Sequence, residues 1–542
     1  MMKLFYNLQR GVGLFVFCTI LLSACVNQIE GGGMKRVVVL LLAAGMLCAL
    51  PVGSSAIDFT AKGRWAYNFN YGQNGNFTSG GKRTGFSSTE DEFEAAQQVR
   101  LQLDAAASER LSGTVQIELG GYNRGMGQYW GSNASGGALG ADGDWVKIKG
   151  AYLDWMLPQA DLKVRMGIQP IQLPDFINNS QVLADDAAGI TASYAVTENV
   201  GLTAFWVRVL NDNSTSATNR NPGYMDNLDA VGLTVPLTFD GLSLTPWGLY
   251  AGIGPAINYD NVNEAQISRY NSYAAGSGLR AGLLPLLPPK GGAHADRRLS
   301  EYGNAVWAGL PGQVTAFEPF RISWDAVYGS VQYDNSSLNR SGWLASLLLE
   351  YKLEWSVPGI YGWYTSGDDD DLGNGSERMP SIHPNNPNGF SEFAFHGDPI
   401  MGRDSLLGKS MAGTWGVGAR LKDMSFVENL SHTLRVNYIG GTNDPGVLKK
   451  LHSATGSWMA PNDNAGYAGR EGLYLTRNDG LLEVGLSNKY KMYENFTIYS
   501  SLYYDALFLD KSDSVWGNSC MNGENDRTAD AWNASVTFVY QF

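Results

Sequence analysis

The last eleven residues, 532–542, show the hydrophobic pattern that recurs along the whole chain. Every second position from Trp532 to Phe542 is apolar, and the positions between them are polar except Val539. A strict period of two is typical of a β-strand with one apolar face and one polar face. For this stretch alone, an edge strand of a soluble β-sandwich is the alternative.

The same alternation recurs in segments that are joined by short and long links in turn. Clear examples are residues 57–69, 98–105, 162–169 and 320–328. A meandering barrel produces this rhythm, with tight turns on the periplasmic side and long loops outside, whereas a Greek-key sandwich scatters its long links. We therefore predict an all-β fold, a transmembrane antiparallel β-barrel of about eighteen strands, with sixteen as the alternative.

The short links are expected where turn-forming residues separate two alternating segments. These positions are 108–110, Pro158–Gln159, Thr197–Asn199, Phe239–Gly241, a longer link around Pro311, Pro358, Lys422–Asp423 and Glu494–Asn495.

Composition supports a barrel over several soluble domains. Aromatic residues make up 12% of the chain and charged residues only 17%, and there are 66 glycines. The apolar residues are spread in alternation, and no segment after residue 56 has a run long enough for a transmembrane helix.

Two export-like segments stand in tandem at the N-terminus. Residues 34–56 form a complete secretory signal, with a basic start, an apolar stretch and Ser54–Ala56 before Ile57. We therefore expect residues 1–33 to be an untranslated or alternative leader, with Met34 as the start and 57–542 as the mature barrel. The alternative is a lipoprotein cleaved before Cys25.

The mature chain is acidic and almost free of cysteine. Removing residues 1–56 takes four basic residues and one acidic residue from totals of 39 and 52, which leaves a net charge of −16. An acidic chain is a poor nucleic-acid binder, so no nucleic-acid partner is expected. Cys520 alone remains, which excludes a disulfide framework and a thiolate metal site.

Four stretches of the mature chain, 96–103, 151–156, 189–194 and 367–370, carry a similarity to a known family. In these stretches the chain resembles the outer-membrane homotrimeric porins of sulfate-reducing Gram-negative bacteria. The resemblance implies a homotrimer of water-filled pores in the cell outer membrane, among lipids and lipopolysaccharide. The closing strand also resembles that of outer-membrane barrels, which implies that the barrel assembly machinery reads its aromatic residues as an insertion signal: Phe538, Tyr540 and Phe542.

Charges in the strands are expected on the inner face, because a charge facing lipid at mid-membrane costs about 2–4 kcal/mol. The alternation places the following residues inside: Lys62, Arg64, Arg100, Lys163, Arg165, Arg321, Arg420 and Arg435, with the acids Asp104, Glu118, Asp325, Glu350 and Glu483.

An inward-folded loop is expected at about 169–189. In general porins the loop after the fifth strand narrows the channel, and here that loop includes Asp175, Asp185 and Asp186. Arginines on the wall that face carboxylates on such a loop set up a transverse field, which tunes conductance and ion preference. The alternative is that these arginines are solvated or paired along the wall.

Other candidate sites give weaker signals. Asp368, Asp369, Asp370 and Asp371 offer oxygens to Ca²⁺, but their spacing does not match an EF-hand, and an acidic solvated loop tip is the favoured interpretation. Residues 402–410 have the wrong spacing for a phosphate-binding loop. The five histidines show no metal-ligand spacing, and no cofactor is expected.

We therefore expect a porin that lets small hydrophilic solutes and ions diffuse passively across the outer membrane. A substrate-specific outer-membrane channel is the first alternative. An outer-membrane lipase or protease barrel is the second, although no Ser/His/Asp arrangement stands out in the sequence.

Overall fold

One antiparallel sheet accounts for the strands in the computed structural model. The residues that the structure describes are 57–73, 92–119, 128–129, 146–211 apart from 159 and 178, 227–255, 279, 282–285, 302–371, 373–384, 390–391, 394–395, 407, 410–455, 475–510 and 530–542. The predicted leader, signal segment and Cys520 lie outside these residues, as does most of 402–410.

The strand segments follow the alternating stretches of the sequence. They are β1 Asp58–Gln73, β2 Glu92–Ser108, β3 Leu111–Leu119, β4 Gln128–Tyr129, β5 Val146–Met156, β6 Leu162–Gln172, β7 Ala184–Ala195, β8 Gly201–Asn211, β9 Asn227–Thr234, β10 Leu237–Phe239, β11 Leu242–Leu244, β12 Trp247–Ile253, β13 Gly303–Gly309, β14 Gly312–Val314, β15 Phe320–Gln332, β16 Arg340–Tyr351, β17 Val357–Thr365, β18 Thr414–Val427, β19 Leu430–Gly441, β20 Gly480–Tyr493, β21 Phe496–Phe508 and β22 Ala531–Gln541. A 3-10 helix, Ser336–Leu338, and an α-helix, α1 Pro445–Thr455, lie in two of the connections.

The sheet closes on itself, because β1 pairs with β22 over ten residue pairs. Three strands are interrupted by prolines: β9 continues as β10 past Pro236, β11 as β12 past Pro246, and β13 as β14 past Pro311. The short segment β4 pairs with β2 beyond the end of β3. Counting each of these with the strand it extends gives eighteen barrel strands in the described chain, which confirms the predicted fold.

Most of the short turns lie where the sequence predicts them, between β2 and β3, β5 and β6, β7 and β8, β10 and β11, and β20 and β21. Three predictions are wrong. Pro311 interrupts one strand, and the turn follows at 315–319. Pro358 lies within β17, after a turn at 352–356. Lys422–Asp423 forms an irregularity inside β18, where Asp423 has a φ of 56°, and the turn follows at 428–429.

Each strand presents one face outward and one inward. In β16 every second residue is buried, and the exposed positions include Trp343, Leu347 and Leu349. In β22 the polar residues point inward as predicted, with Asn533 and Thr537 buried. The outer surface is therefore apolar across the strands, as a lipid-facing barrel requires.

The inner face differs from the sequence expectation, because it is apolar over about half of the barrel. Most inward residues of β8 to β17, among them Val207, Leu249, Trp307 and Trp363, are buried. They pack against apolar residues of the long connections: Leu173, Val182, Leu183, Leu279, Leu283, Met379, Ile382, Phe390, Phe395, Met411 and Leu475. The inward loops supply an apolar partner that alternation within a strand does not reveal.

In the described part of the chain, no helix has the length and apolar character needed to cross a membrane.

Candidate functional site in the barrel lumen

The connection after the fifth barrel strand crosses the lumen. It runs over 173–183, between β6 and β7. The backbone N–H groups of Phe176 and Ile177 donate to the two carboxylate oxygens of Asp325, at 2.9 and 3.2 Å. Asp325 lies on the inner face of β15, the eleventh barrel strand, and Trp247 Nε1 donates to the carbonyl of Pro174 at 3.1 Å. The loop therefore contacts β12 and β15, which are not adjacent to β6 or β7 in the sheet. These contacts show that the loop folds into the lumen.

A second inward segment, 376–384, lies against this loop. Ile382 N and His383 N both donate to the carbonyl of Val182 at 2.9 Å, and Ala184 N donates to the carbonyl of His383 at 3.0 Å. We call 173–183 together with 376–384 the constriction layer. The buried side chain of Arg340, on β16, donates to the carbonyls of Arg378, Leu284 and Met379 at 3.0–3.2 Å, so the layer is anchored to the wall.

The inward loop is shorter than the predicted 169–189. β6 and β7 pair as far as Gln172↔Ala184, so Asp185 and Asp186 lie in strand β7. Their placement on the loop is therefore wrong. Pro170 lies within β6, opposite Asp186. A loop that begins at residue 169 requires the strand to end before Pro170, but the pairing continues to Gln172.

The three predicted loop carboxylates have different environments. Asp175 lies on the loop, partly buried, and accepts a hydrogen bond from Gln172 Nε2 at 3.2 Å. Burial, and then the neighbouring carboxylate of Asp325, raise the pKa of Asp175 to about 8. Asp185 pairs with His383 Nε2 at 2.9 Å, and Asp186 pairs with a lysine, Lys149, at 2.8 Å.

Strands β1, β2, β5 and β6 form a basic sector of the inner wall. Lys62 pairs with Asp104 at 3.2 Å, and Arg100 Nε donates to the fully buried Glu118 at 2.7 Å. On β6, Lys163 and Arg165 share the carboxylate of Asp154, at 3.3 and 2.7 Å. Arg64 donates to the amide oxygen of Gln98. The side chains of Lys62, Arg100 and Lys163 remain 56%, 42% and 45% exposed, so water reaches this sector.

The predicted arginines on β15, β18 and β19 have a different setting. Arg321 and Arg420 both donate to the buried carboxylate of Glu350, with Arg420 Nη2 at 2.6 Å. Arg420 and Arg435 are only 8% exposed, so they lie on the inner face but within the packed interior. Only Arg321 of these three stays accessible, with 40% of its side chain exposed.

Lys147, Lys149 and Asp154 also lie on the inner wall, although they are not among the residues predicted for it. The two lysines alternate with Val146 and Ile148 at the start of β5, and this Val-Lys-Ile-Lys pattern predicts inward lysines if it is assigned to a strand. Residues 146–149 directly follow a long glycine-rich stretch, which obscures the beginning of the strand.

In the acidic run Asp368 to Asp371, three carboxylates accept hydrogen bonds within their own loop, and Asp370 lies 3.7 Å from Lys450 of α1. Asp368 is buried and accepts from Ser376 Oγ at 2.5 Å and from Glu377 N at 3.2 Å. Asp369 accepts from Asp371 N at 2.7 Å. Within the described ranges, no group of three or more histidine, cysteine or acidic residues is arranged to hold a metal ion.

The aromatic residues of the closing strand lie at the seam of the barrel. Tyr540 stacks on Trp65 with a centroid distance of 6.0 Å, and Phe538 meets Phe69 edge-on at 6.3 Å. Phe542 contacts Trp65 at 5.2 Å, and its backbone exchanges hydrogen bonds with Gly63. A Cβ at Gly63 would come within 2.7 Å of the Phe542 ring, so the last residue needs a glycine there.

Comparisons with known proteins find similarity in structure. No family model matches the chain, and no curated protein matches it. Among solved structures, the outer membrane protein opdK of Pseudomonas aeruginosa has a TM-score of 0.45 and 10% identity, covering 89% of this chain and 99% of that one. OccK9 (OpdG) of the same species has a TM-score of 0.48 and 10% identity over 90% and 98%. OccAB4 of Acinetobacter baumannii has a TM-score of 0.44 and 9% identity over 89% and 98%.

Proposed function

We propose that this protein is an outer-membrane porin, through which small hydrophilic solutes and ions diffuse passively. The observation that supports this best is the closed barrel of eighteen strands, which has an apolar outer face and a charged, water-accessible sector inside. A barrel of this size is wide enough to hold water, and its outer face suits the hydrocarbon of a bilayer. The protein acts as a channel and not as an enzyme.

The solute path runs along one side of the lumen. Most of the inner face of β8 to β17 is buried beneath the constriction layer and the other inward loops, whereas the side chains of Lys62, Arg100, Lys163 and Arg165 keep exposed fractions of 27–56%. Solutes therefore pass beside a wall that donates hydrogen bonds and carries positive charge, and this wall favours hydrophilic solutes.

The constriction layer also supports the alternative, a substrate-specific channel. It is tied to the wall by the backbone hydrogen bonds to Asp325 and by the buried Arg340. A fixed constriction presents the same groups to each solute, which is the condition for selecting among solutes by shape and charge.

Assembly and export belong to the same proposal. The chain forms a homotrimer like the porins of sulfate-reducing bacteria, is delivered by its signal segment, and is inserted through recognition of Phe538, Tyr540 and Phe542. Mass spectrometry of the outer-membrane protein is expected to find Ile57 as the first residue; a lipidated Cys25 would contradict this.

Planar-bilayer recording of the purified protein tests the channel. We expect stepwise current increases that scale with salt concentration, and reversal potentials in asymmetric KCl that report ion preference. Absence of conductance from protein whose mobility on gels changes with heating would refute the proposal. Release of fatty acid or peptide fragments by the purified protein would favour the enzyme alternative.

A further inference from the structure

The basic sector contains a cavity of about 540 Å³ on its lumen side. Four cationic side chains from three strands line it: Lys62 and Arg64 on β1, Arg100 on β2, and Lys149 on β5. This volume lies in the range of small-molecule binding sites. The cavity is thus large enough to take a small solute out of the diffusion path.

The hydrogen-bonding capacity of this cavity is unbalanced towards donors. Arg100 uses Nε for Glu118, and its two terminal nitrogens donate to no group among the residues that the structure describes. Arg64 donates from one terminal nitrogen to Gln98, and its buried Nε meets no acceptor in the described part of the chain. Guanidinium groups hold no acceptors and present a planar fork that matches the oxygens of a carboxylate or phosphate.

The surrounding charges leave Arg64 as the least compensated cation. Lys62 and Lys149 pair with Asp104 and Asp186, and Arg100 pairs with Glu118. Among the described residues, Arg64 hydrogen-bonds to a neutral amide, and the Glu118 carboxylate that acts on it at longer range is already paired with Arg100. A further cation, Lys147, lies within electrostatic reach of Glu118, Lys149 and Arg100. Among these groups, five cationic side chains therefore face three carboxylate side chains.

We propose that this cavity is a binding subsite for small oxyanions, in which Arg64 and Arg100 donate to a carboxylate or phosphate group of the passing solute. The inference rests on the proposed channel function and names the class of solute that the channel retains. Lys62 and Lys149 keep their carboxylate partners and add positive potential at the rim.

Current recording with added anions tests the subsite. In about 0.1 M KCl, where fixed charges act over roughly 10 Å, acetate or inorganic phosphate is expected to reduce the open-channel current in a saturable manner. The double variant Arg64→Gln with Arg100→Gln is expected to raise the half-inhibiting concentration at least tenfold, since hydrogen bonds to charged groups are lost. Arg64→Lys is expected to retain part of the inhibition.

A matched control is Arg208→Gln, which removes one positive charge from an ion pair with Asp229 on the outer face of the barrel. It is expected to leave the inhibition unchanged.

If acetate and phosphate do not inhibit wild-type channels, or if the double variant conducts with undiminished inhibition, the subsite is refuted while the channel function stands. If the double variant fails to assemble, titration calorimetry of phosphate into Lys149→Gln decides: unaltered affinity overturns the subsite, and weaker affinity supports it. A wild-type protein that does not conduct refutes the proposed function itself.

Discussion

Replacing Asp175 by Asn is expected to abolish a pH dependence of ion selectivity near pH 8. This carboxyl lies on the inward loop beside Asp325, and its pKa is raised to about 8. Its ordinary pKa is near 4, so burial and the neighbouring carboxylate keep it protonated through the neutral range. At pH 7, roughly one molecule in ten carries the charge, and at pH 9 roughly nine in ten do.

The size of the effect follows from the position of the charge. A unit charge acts on an ion 4 Å away with about 1 kcal/mol in bulk water, and the energy is larger where the effective dielectric constant is lower. One kcal/mol corresponds to a change of about fivefold in a permeability ratio. Raising the pH through 8 adds this negative charge to the lumen, so wild-type channels are expected to shift towards cations.

Reversal potentials in asymmetric KCl, measured at pH values on either side of 8, give the assay. At every pH, the Asp175→Asn variant is expected to give the reversal potential that the wild type shows when Asp175 is protonated. Asp161→Asn, which changes an exposed carboxylate in the turn between β5 and β6, is the matched control and keeps the wild-type pH dependence. A pH shift that persists unchanged in Asp175→Asn would refute the reasoning. The shift also has to diminish in 1 M salt, where the screening length falls to about 3 Å.

Raised pKa values also predict a direction for stability. The folded protein holds the Asp175 proton up to about pH 8, whereas the unfolded chain releases it near pH 4. The unfolded state therefore binds fewer protons between these values, so this residue lowers the free energy of unfolding as the pH rises from 4 to 8. The Asn variant lacks that contribution.

Two substitution experiments and one deletion test separate parts of the structure. Asp325→Ala removes both acceptors of the loop N–H groups, so single-channel conductance is expected to rise; an unchanged conductance would mean that the loop is held by other contacts. Deleting Phe542 is expected to reduce the heat-modifiable protein in the outer membrane without blocking export, and normal levels would count against its role in assembly. Replacing Arg100 and Arg165 by Gln is expected to shift selectivity towards cations by several-fold, measured by reversal potential, whereas Leu434→Ile on the outer face is expected to leave it unaltered.

The sequence predicts the barrel well because the alternation of residues within each strand reflects the different surroundings of its two faces. In β22 the alternation between Asn533 and Phe538 reports burial on one side and exposure on the other, and no distant contact is needed to interpret it. The same local logic places Lys62, Arg100 and Arg165 on the inner face. It fails at Pro311, which is predicted as a link although β13 continues as β14 past it, and at Pro170, which lies in the predicted loop although β6 and β7 remain paired there.

The interior is harder to predict because it depends on contacts between distant segments. Arg435 and Arg321 have the same sequence signature, a basic residue between apolar ones, yet one is buried and the other is accessible. The two arginines differ in exposure because of the segments that pack against the inner wall beside them. Phe390, for example, stacks on Tyr361 of β17 at 4.7 Å and accepts a hydrogen bond from Asn437 of β19. The periodicity of a single strand does not reveal that a distant segment packs against it.

This difference changes which charges determine the field in the pore. Burial of Arg420 and Arg435 removes two of the predicted arginines from contact with solute, so the accessible positive charge of the predicted wall lies mainly on β1, β2, β5 and β6, with Arg321 on β15. Of the three predicted opposing carboxylates, Asp185 and Asp186 are paired with His383 and Lys149, and Asp175 is mostly neutral at pH 7. Under the proposed channel function, these accessible groups are therefore expected to favour anions at neutral pH, although the whole chain carries a net charge of −13. Among the described groups, ionisation of Asp175 is expected to reduce that preference as the pH rises through about 8.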